Sequence, residues 1–474
     1  MTFALEPTIA APIAFLSVAF AVVASAHAVL TKRDVRAAIG WVVAIWVAPL
    51  LGSIAYAIFG INLIRRRAVS IFGEHHDRGF VPLVPLEESV EPSFGALGMT
   101  RFVDRLVNVP LVEGNEVVPL LGCDAFEQML DVIGSARESL SLETYIFDHD
   151  ATGRRFVAAL AEAVERGVEV RVLIDAVGAR YSKEPTPREL AHRGVRTALF
   201  LPTRHPLRAP YLNLRNHRKV LVADGRIGFT GGLNIRHCLS ESDGSEQLRD
   251  THFRVEGPVV AHLQRAFVED WYFSAREELL GPRWFPELEA RGEMLARGIP
   301  DGPDRDLEKI QWTLLGALAC AKHRVKIVTP YFLPINGIDT ALQVAARRGV
   351  HVDVFLPERG NLLLPHWASR GLWENVLEGG CRVWLVPPPF DHSKLMIVDN
   401  SWSFVGSANW DPRSLRLNFE FNVEVRSAKL NLAIDDLIEE RRGRAKEVKL
   451  EAHRRRPVPE RLLDGAARLL SPYL

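Results

Sequence analysis

The fold of this chain is decided by the stretch Asn216-His217-Arg218-Lys219-Val220-Leu221-Val222-Ala223-Asp224, whose pattern occurs twice. The second copy is His392-Ser393-Lys394-Leu395-Met396-Ile397-Val398-Asp399, with the same spacing from His to Lys and from His to Asp. A second pair of stretches follows, Gly231-Gly232-Leu233-Asn234 and Gly406-Ser407-Ala408-Asn409. Matching residues of the two copies are separated by 175 positions throughout. This constant offset indicates a duplicated structural unit.

The apolar run after each Lys predicts a strand that ends in a tight turn, at Asp224-Gly225 and at Asp399-Asn400. Side chains two positions apart on a strand share a face, so each His lies beside its own Lys. Lys can neutralise phosphate oxygens, and His can attack phosphorus or move a proton near neutral pH. Asp224 and Asp399 complete the repeated pattern and are counted with His217, Lys219, His392 and Lys394 as candidate catalytic residues. Their opposite parity favours a role in holding the turn.

Two such units brought together would supply His217, Lys219, His392 and Lys394 to one site. This set suffices for double displacement at a phosphodiester, in which one His attacks and the other transfers protons. No metal or other cofactor is needed, because the lysines supply the positive charge. The competing interpretation is two histidines satisfied in a core, with solvated lysines. The duplication favours catalysis.

The residues after each motif are candidates for holding the phosphate of the substrate. Glycines let backbone N–H groups approach an anion closely, and Asn side chains can donate amide hydrogens. The candidate phosphate-binding residues are Gly232, Asn234, Ser407 and Asn409.

Two carboxylates occupy similar places in strands predicted at 250–255 and 420–425. Asp250 or Glu420 could accept a hydrogen bond from His Nδ1, fixing the tautomer and raising the basicity of the ring. The alternative is that both are surface carboxylates.

Composition excludes several classes of protein. The 474-residue chain contains 58 basic and 58 acidic residues, so its charge does not favour binding to nucleic acid. Its four cysteines lack the paired spacing of a zinc site or a disulfide framework, and they are predicted to be reduced thiols. We therefore expect no metal site.

The N-terminal segment is predicted to form a two-helix transmembrane hairpin over residues 1–67, with spans at about 9–30 and 38–63. Both uncharged runs exceed the roughly 20 residues that cross a bilayer. Pro49 and Gly52 are expected to kink the second helix. Basic residues flank both spans almost equally, and the Arg65-Arg66-Arg67 triplet together with the unpaired thiols favours a cytoplasmic catalytic domain.

The remainder alternates between strand and helix patterns, which predicts α/β layers. Residues 68–115, rich in Pro, Gly and acidic side chains, are predicted to be a linker. The first domain is expected at 116–285 and the second at 300–430. A basic helical tail is expected at 431–474, either solvated or in contact with anionic lipid headgroups.

These motifs resemble the phospholipase D superfamily, whose HKD motif is His-x-Lys-x4-Asp. Within it the chain is most similar to the bacterial cardiolipin synthases. This similarity rests on further stretches, Leu142-Glu143-Thr144-Tyr145-Ile146-Phe147, Thr329-Pro330-Tyr331-Phe332 and Leu417-Asn418-Phe419-Glu420. The resemblance implies two duplicated α/β domains with the active site at their interface.

The resemblance also implies an enzyme of the bacterial inner membrane that makes cardiolipin and glycerol from two phosphatidylglycerol molecules. His217 would form a phosphohistidine intermediate and His392 would be the acid and base. Other anionic phospholipids are further candidate substrates. Alternatives are a hydrolytic phospholipase D that releases phosphatidic acid, a nuclease and a non-enzymatic membrane scaffold. Asp391 beside His392 departs from the family pattern; it could raise the pKa of that His or alter the choice of acceptor.

Overall fold

The computed structural model describes residues 7–32, 35–60, 94–107, 109–182, 186–202, 214–236, 249–304, 306–334 and 337–471. The chain divides into two compact units, Met1–Ser70 and Ile71–Leu474. The end of the predicted second span, the arginine triplet at 65–67 and residues 68–93 of the predicted linker lie outside the described residues.

The N-terminal unit consists of helices α1 (Pro7–Thr31), α2 (Val35–Val47) and α3 (Pro49–Ala55), followed by a π-helical turn at Tyr56–Gly60. The kink expected at Pro49 is present, because Ala48 is non-helical and Pro49 begins a new helix. The Tyr56 hydroxyl lies 2.8 Å from Nδ1 of His27 and joins the ends of the hairpin. Within the part of the chain that the structure describes, no helix meets the length and apolarity required to cross a membrane.

The second unit is built around one large mixed sheet. Its strands are β1 (Val112–Leu121), β2 (Ser139–Thr144), β3 (Glu169–Asp175), β4 (Arg196–Phe200), β5 (Arg215–Asn216), β6 (Val220–Ala223), β7 (Ile227–Gly231), β8 (Thr251–Glu256), β9 (Met294–Asp301), β10 (Arg324–Val328), β11 (His351–Pro357), β12 (Arg382–Val386), β13 (Leu395–Val398), β14 (Trp402–Gly406), β15 (Asn418–Arg426) and β16 (Lys446–Glu447).

Helices cover the sheet. They are α4 (Phe94–Leu106), α5 (Gly122–Ser135), α6 (Ala151–Glu165), α7 (Thr186–His192), α8 (Val260–Ala275), α9 (Lys309–Cys320), α10 (Ile338–Arg347), α11 (Leu363–Arg370), α12 (Trp373–Glu378), α13 (Ala428–Arg444), α14 (Leu450–Arg454) and α15 (Val458–Leu469), with a 3₁₀ turn at Gly178–Arg180.

The strand order is β16-β12-β11-β10-β13-β14-β15-β9-β1-β8-β7-β6-β2-β3-β4, and β5 pairs with β15. The two halves of the sheet are therefore mirror copies of one strand order. Strands β1 and β9 lie between them and join the duplicated halves into a continuous sheet. The duplication is visible as parallel pairs β2–β3 and β10–β11, each followed by an antiparallel hairpin.

Local sequence explains the repeated boundaries. Asp150 caps α6 by accepting a hydrogen bond from the backbone N–H of Gly153. Gly167 and Gly349 follow the equivalent helices α6 and α10 with φ angles of 88° and 90°, a conformation that suits glycine. One buried core cluster draws residues from both halves, including Phe253 of β8 and Phe421 of β15.

Two sequence predictions need correction here. The segment predicted to be a linker contains α4, whose Met99 and Val103 are buried in the same core cluster as Leu314 of α9. The apolar spacing of α4 explains this packing. The prediction of reduced thiols is wrong for Cys123, which is disulfide-bonded, whereas Cys320 and Cys381 are free. The thiols therefore no longer support a cytoplasmic orientation, because disulfides persist in oxidising compartments.

The C-terminal segment is helical, as predicted, but its basic residues are not simply solvated. Arg441 of α13 is fully buried against Asp391, and Arg456 pairs with Asp464. These ion pairs tie the tail to the catalytic unit.

Candidate active site

The two HKD histidines lie where one half of the duplicated unit meets the other. Strand β5 pairs in parallel with β15, and the backbone N–H of His217 donates to the carbonyl of Phe419 at 2.9 Å. In the second copy, the backbone N–H of His392 donates to the carbonyl of Arg249 at 2.7 Å. Each histidine backbone is therefore fixed by the opposite half.

The two carboxylates are exchanged between the halves. Nδ1 of His217 lies 3.0 Å from both carboxylate oxygens of Glu420, and Nδ1 of His392 lies 2.9 Å from Oδ2 of Asp250. The Glu420 carboxylate, whose pKa the His217 ring and Lys219 hold below its usual value, only accepts, so Nδ1 of His217 donates and Nε2 of the neutral ring keeps its lone pair. The sequence indicated a carboxylate partner without indicating that each histidine takes the carboxylate of the other half.

The histidines are kept neutral by their surroundings. Burial, with the charge of Lys219 acting in the same direction, lowers the pKa of His217 to about 4 against the opposing effect of Glu420. Burial and the neighbouring lysines likewise lower the pKa of His392 well below its usual value. A neutral imidazole with a free Nε2 lone pair is the form that can attack phosphorus.

The two lysines lie against the histidines of their own motifs. Nζ of Lys219 donates to the backbone carbonyl of His217 at 2.6 Å, and Nζ of Lys394 bonds to the carbonyl of His392 and lies 2.8 Å from its Nδ1. Burial lowers the pKa of Lys219 to about 7 and that of Lys394 to about 8. An anionic phosphodiester would favour the charged form of both lysines.

Asp224 and Asp399, the last residue of each HKD motif, hold the backbone of the neighbouring strand in place. The carboxylate of Asp224 accepts hydrogen bonds from the backbone N–H groups of residues 137–139, and Asp399 does the same for residues 322–324. Both aspartates have a φ of 52°, as the predicted tight turns require. Although they are counted with the candidate catalytic residues, their contacts are structural: they anchor the end of the strand that follows each His–Lys pair. The pairs themselves lie just before β6 and β13 and not on a strand, where the sequence had predicted them.

The candidate phosphate-binding residues divide into two kinds. Ser407 donates from Oγ to Glu420 at 2.5 Å, and Gly232 leaves room for Asp250, whose carboxylate a Cβ would meet at 2.2 Å. Both therefore support the carboxylates that hold the histidines. Asn234 accepts a hydrogen bond from the backbone N–H of Ile146. Asn409 has a buried Oδ1 without a partner among the described residues. This oxygen only accepts, so a phosphate would have to be bound through the amide NH2 group.

Aromatic rings border the two histidines. The ring centroid of Tyr145 lies 5.3 Å from that of His217, and the centroid of Tyr331 lies 6.5 Å from that of His392. Lys219 also lies over the ring of Tyr145, at 5.7 Å. The two tyrosines follow the equivalent parallel strands β2 and β10, so the duplication places one ring beside each histidine.

A buried arginine ion pair supports each motif, and sequence analysis identified neither pair. Arg218 donates to Asp270 of α8 at 2.8 Å, and Arg441 of α13 donates to Asp391 at 2.5 Å. Asp391 is thus directed toward Arg441, which holds its pKa below the usual value. No effect of Asp391 on the pKa of His392 is resolved, so the expected increase is not found.

The helix partners Asp270 and Arg441 occupy equivalent positions, whereas the motif partners Arg218 and Asp391 lie on opposite sides of the motif histidine. The two pairs are opposite in polarity. In the first copy the motif provides the cation and the helix the anion; in the second copy the motif provides the anion and the helix the cation. Asp270 and Arg441 are 171 positions apart, close to the 170 that separate Asp250 and Glu420. This relation was the sequence signal available for finding the pairs.

The geometry defines a bilobal site of two His–Lys pairs on a duplicated α/β fold. Among the described residues, no group of three or more His, Cys, Asp or Glu side chains could hold a metal ion.

Known proteins share this organisation. The family described as "Cardiolipin synthase, PLD-like domain" matches residues 129–271 and 314–442, and "Phospholipase_D-nuclease N-terminal" matches residues 19–60. A cardiolipin synthase of Geobacillus thermodenitrificans is 32% identical over 94% of this chain and 90% of its own length. The major cardiolipin synthase of Bacillus subtilis is 30% identical over 94% of this chain and 95% of its own.

The solved structure of a phosphatidylserine synthase from Haemophilus influenzae covers 79% of this chain and all of its own, with a TM-score of 0.61 and 14% identity. At that identity the likeness concerns the fold alone. The fold and the family matches together define an enzyme of the phospholipase D superfamily. Within that superfamily, the chain belongs to the cardiolipin synthase family.

Proposed function

We propose that this enzyme is a phosphatidyltransferase that converts two phosphatidylglycerol molecules into cardiolipin and glycerol. The relatives named above are cardiolipin synthases across almost the full length of this chain. The observation that carries the mechanism is that each buried histidine has its Nδ1 held by a carboxylate of the other half. This arrangement supports nucleophilic attack by one Nε2 and proton transfer by the other.

In the first displacement, Nε2 of His217 attacks the phosphorus of a phosphatidylglycerol molecule. The bond from phosphorus to the glycerol headgroup breaks, and the leaving oxygen takes a proton from Nε2 of His392. His392 enters this step in its protonated form, which the negative charges of the bound phosphodiester and of Asp250 favour. Lys219 and Lys394 neutralise the non-bridging oxygens, and Glu420 stabilises the positive charge that develops on the His217 ring. The product is a phosphatidyl-histidine enzyme with free glycerol.

In the second displacement, a headgroup hydroxyl of another phosphatidylglycerol attacks the same phosphorus. His392 removes the hydroxyl proton as a base, the bond between phosphorus and Nε2 breaks, and His217 is released. The assignment of His217 as the nucleophile follows the family resemblance, because the two copies are similarly equipped. Asp250 orients His392 in both steps.

The N-terminal unit is proposed to be the predicted membrane hairpin of a bacterial inner-membrane protein. Its support is the uncharged composition of α1 and the large apolar side chains exposed on α1 and α2, such as Phe15, Leu30 and Val47. A cytoplasmic catalytic unit stays a prediction from the arginine triplet at 65–67 alone. Extraction of membranes with carbonate tests the anchoring, and protease protection in oriented vesicles tests the orientation.

A lipid product assay tests the reaction. Purified full-length protein is incubated in vesicles of phosphatidylglycerol with a chelator, and lipids and glycerol are followed by mass spectrometry. We expect equimolar cardiolipin and glycerol. Phosphatidic acid as the sole lipid product would replace the proposal with hydrolysis, in which water is the acceptor.

The matched control separates chemistry from folding. His217→Ala should abolish turnover and also the covalent phosphatidyl-enzyme, whereas His252→Ala removes a buried histidine of β8 outside the two motifs. Wild-type activity in the His217→Ala protein would disprove the assigned nucleophile. Addition of phosphatidylethanolamine in a parallel reaction identifies the acceptor lipid.

A further inference from the structure

Helix α15 is amphipathic, but its apolar face is exposed, whereas a helix that packs on a core buries its apolar face. Its buried residues are Asp464 and Ala467, whereas its large apolar residues face outward. Leu462 is 68% exposed and Leu469 is 77% exposed. The exposed apolar face consists of Val458, Leu462, Leu463, Ala466, Leu469 and Leu470.

Ion pairs fix α15 in this orientation. Asp464 accepts hydrogen bonds from Nε and Nη2 of Arg370 on α11, at 2.8–3.0 Å, and from Nη1 of Arg456 at 2.6 Å. A buried carboxylate held by two guanidinium groups cannot be turned outward without leaving the arginine charges unpaired. The ion pairs of Asp464 therefore keep the leucines of α15 facing away from the protein.

A second exposed apolar segment lies on the neighbouring helix. Leu362, Leu363 and Leu364 occupy the start of α11, and Leu363 is 65% exposed. Helices α11 and α15 pack against each other through Ala368 and Ala467. We define the leucine surface as residues 362–364 together with the exposed apolar face of α15.

The leucine surface is continuous with the candidate active site. Asn361, which precedes Leu362, accepts a hydrogen bond from the Tyr331 hydroxyl at 2.8 Å, and the Tyr331 ring borders His392. A pocket beside Tyr331 is lined by Leu362, His366 and Trp373 among others. This pocket lies between the leucines and Tyr331, whose ring borders the second His–Lys pair.

Charges at the edge of this surface suit an anionic bilayer. Arg455, Arg461 and Arg468 are exposed on or just before α15, against one exposed acid, Glu460. An interfacial helix typically buries an apolar face among acyl chains while basic residues contact anionic headgroups. Contiguous exposed apolar surface on a folded domain is otherwise uncommon and marks an interaction site.

We infer that the leucine surface docks the catalytic unit onto an anionic phospholipid bilayer and places the entrance beside Tyr331 at the lipid interface. This inference rests on the proposed function in taking phospholipid as the substrate. The contact is additional to the N-terminal hairpin, which belongs to the other compact unit. It specifies which face of the catalytic unit meets the membrane.

Fluorescence depth measurements on the full-length protein test this inference. An environment-sensitive fluorophore is attached at Leu363→Cys, at Leu462→Cys or at the control Leu432→Cys, in a background with Cys320→Ala to remove the partly exposed native thiol. Leu432 is a suitable control because it is 60% exposed on a different helix, α13. The proteins are placed in vesicles that contain phosphatidylglycerol and lipids with a spin label on the acyl chain.

We expect a blue shift and at least twofold quenching at positions 363 and 462, with neither at position 432. Equal access of aqueous iodide to all three positions would overturn the inference. A shift that grows with protein concentration at constant lipid would assign the surface to a second copy of this chain. A shift that persists in lipid-free, polymer-stabilised protein would assign it to another part of the same chain, and either result overturns bilayer docking.

Activity is measured separately, so the two proposals can fail independently. Leu363→Ser/Leu462→Ser should lower turnover of vesicular phosphatidylglycerol at least tenfold and leave turnover of a short-chain, monomeric phosphatidylglycerol within about twofold of wild type. Equal turnover on vesicles would contradict the docking role. Quenching at 363 and 462 without cardiolipin formation would leave the docking surface standing and reject the proposed reaction.

Discussion

The most informative perturbation of the site is Glu420→Gln, because it removes one charge and almost no volume. Glu420 is fully buried, and both carboxylate oxygens lie 3.0 Å from Nδ1 of His217. Ser407 and Asn418 also donate to this carboxylate. The Gln amide oxygen can still accept from Asn418 and His217, and its NH2 group can donate to the Ser407 hydroxyl, so we expect the variant to fold.

The magnitude follows from the charge that is lost. When His217 attacks phosphorus its ring becomes cationic, and the buried carboxylate stabilises that cation through a charge-assisted hydrogen bond. Hydrogen bonds to charged groups typically stabilise by about 1.5–3 kcal/mol relative to the state without the bond, and each 1.4 kcal/mol corresponds to roughly tenfold in rate. Glu420→Gln should therefore slow the first displacement by about 10- to 150-fold.

A substrate with a nitrophenol leaving group isolates that step, because nitrophenolate departs without a proton from His392. The burst of nitrophenolate should be slowed in Glu420→Gln and nearly normal in Asp250→Asn, the equivalent change at the other histidine. Asp250→Asn should instead slow transfer of the phosphatidyl group to the second alcohol. A normal burst in Glu420→Gln, or equal slowing of the burst in both variants, would refute the proposed division of roles.

Three further outcomes are expected. Because burial lowers the pKa of Lys219 to about 7, kcat/KM should decline as pH rises above about 7, a pH at which an ordinary lysine is still fully protonated. In an active Lys219→Arg variant, the decline should move to higher pH. An unchanged pH profile in that variant would exclude Lys219 as the cause of the decline. Arg441→Met leaves the Asp391 charge buried and unpaired, and it should lower the free energy of unfolding by about 3–5 kcal/mol. In denaturation curves of the detergent-solubilised protein, the double variant Asp391→Leu/Arg441→Met should recover most of that lost stability. Equal losses of stability in the single and double variants would disprove the pairing. Asp224→Ala removes hydrogen bonds to three backbone N–H groups and should lower the free energy of unfolding by about 1–3 kcal/mol. The kcat of the folded variant should stay within about threefold of wild type. A loss of kcat as large as that of a histidine variant would show that Asp224 takes part in the reaction.

Several local features of this protein were predictable because they depend on short-range chemistry. The turns after Ala223 and Val398 were indicated by Asp-Gly and Asp-Asn, since few residues tolerate the backbone conformation of such turns. A helix was predicted over 154–166 before Gly167; the structure begins it at Ala151, after the capping Asp150, and ends it at Glu165. The repeat itself was visible because both copies kept their spacing.

Long-range pairing was not predictable in the same way. Most of strand β9 fell between the two predicted domains, and α4 fell in a predicted linker. Both owe their stability to partners distant in sequence, β15 for β9 and α9 for α4. Local composition gives no information about such partners. The Pro and Gly residues near α4 therefore favoured the prediction of a linker over the prediction of a helix from its apolar spacing.

The sequence by itself determined that two His–Lys pairs exist, that each follows the same strand pattern, and that one carboxylate accompanies each copy. Only the tertiary structure decided that the carboxylates are exchanged, with Glu420 serving His217 and Asp250 serving His392. It also decided that Asp391 meets Arg441 and that the leucines of α15 face outward. Periodicity defines which residues share a face of one element, whereas the partner of that face is set by packing between segments far apart in the chain.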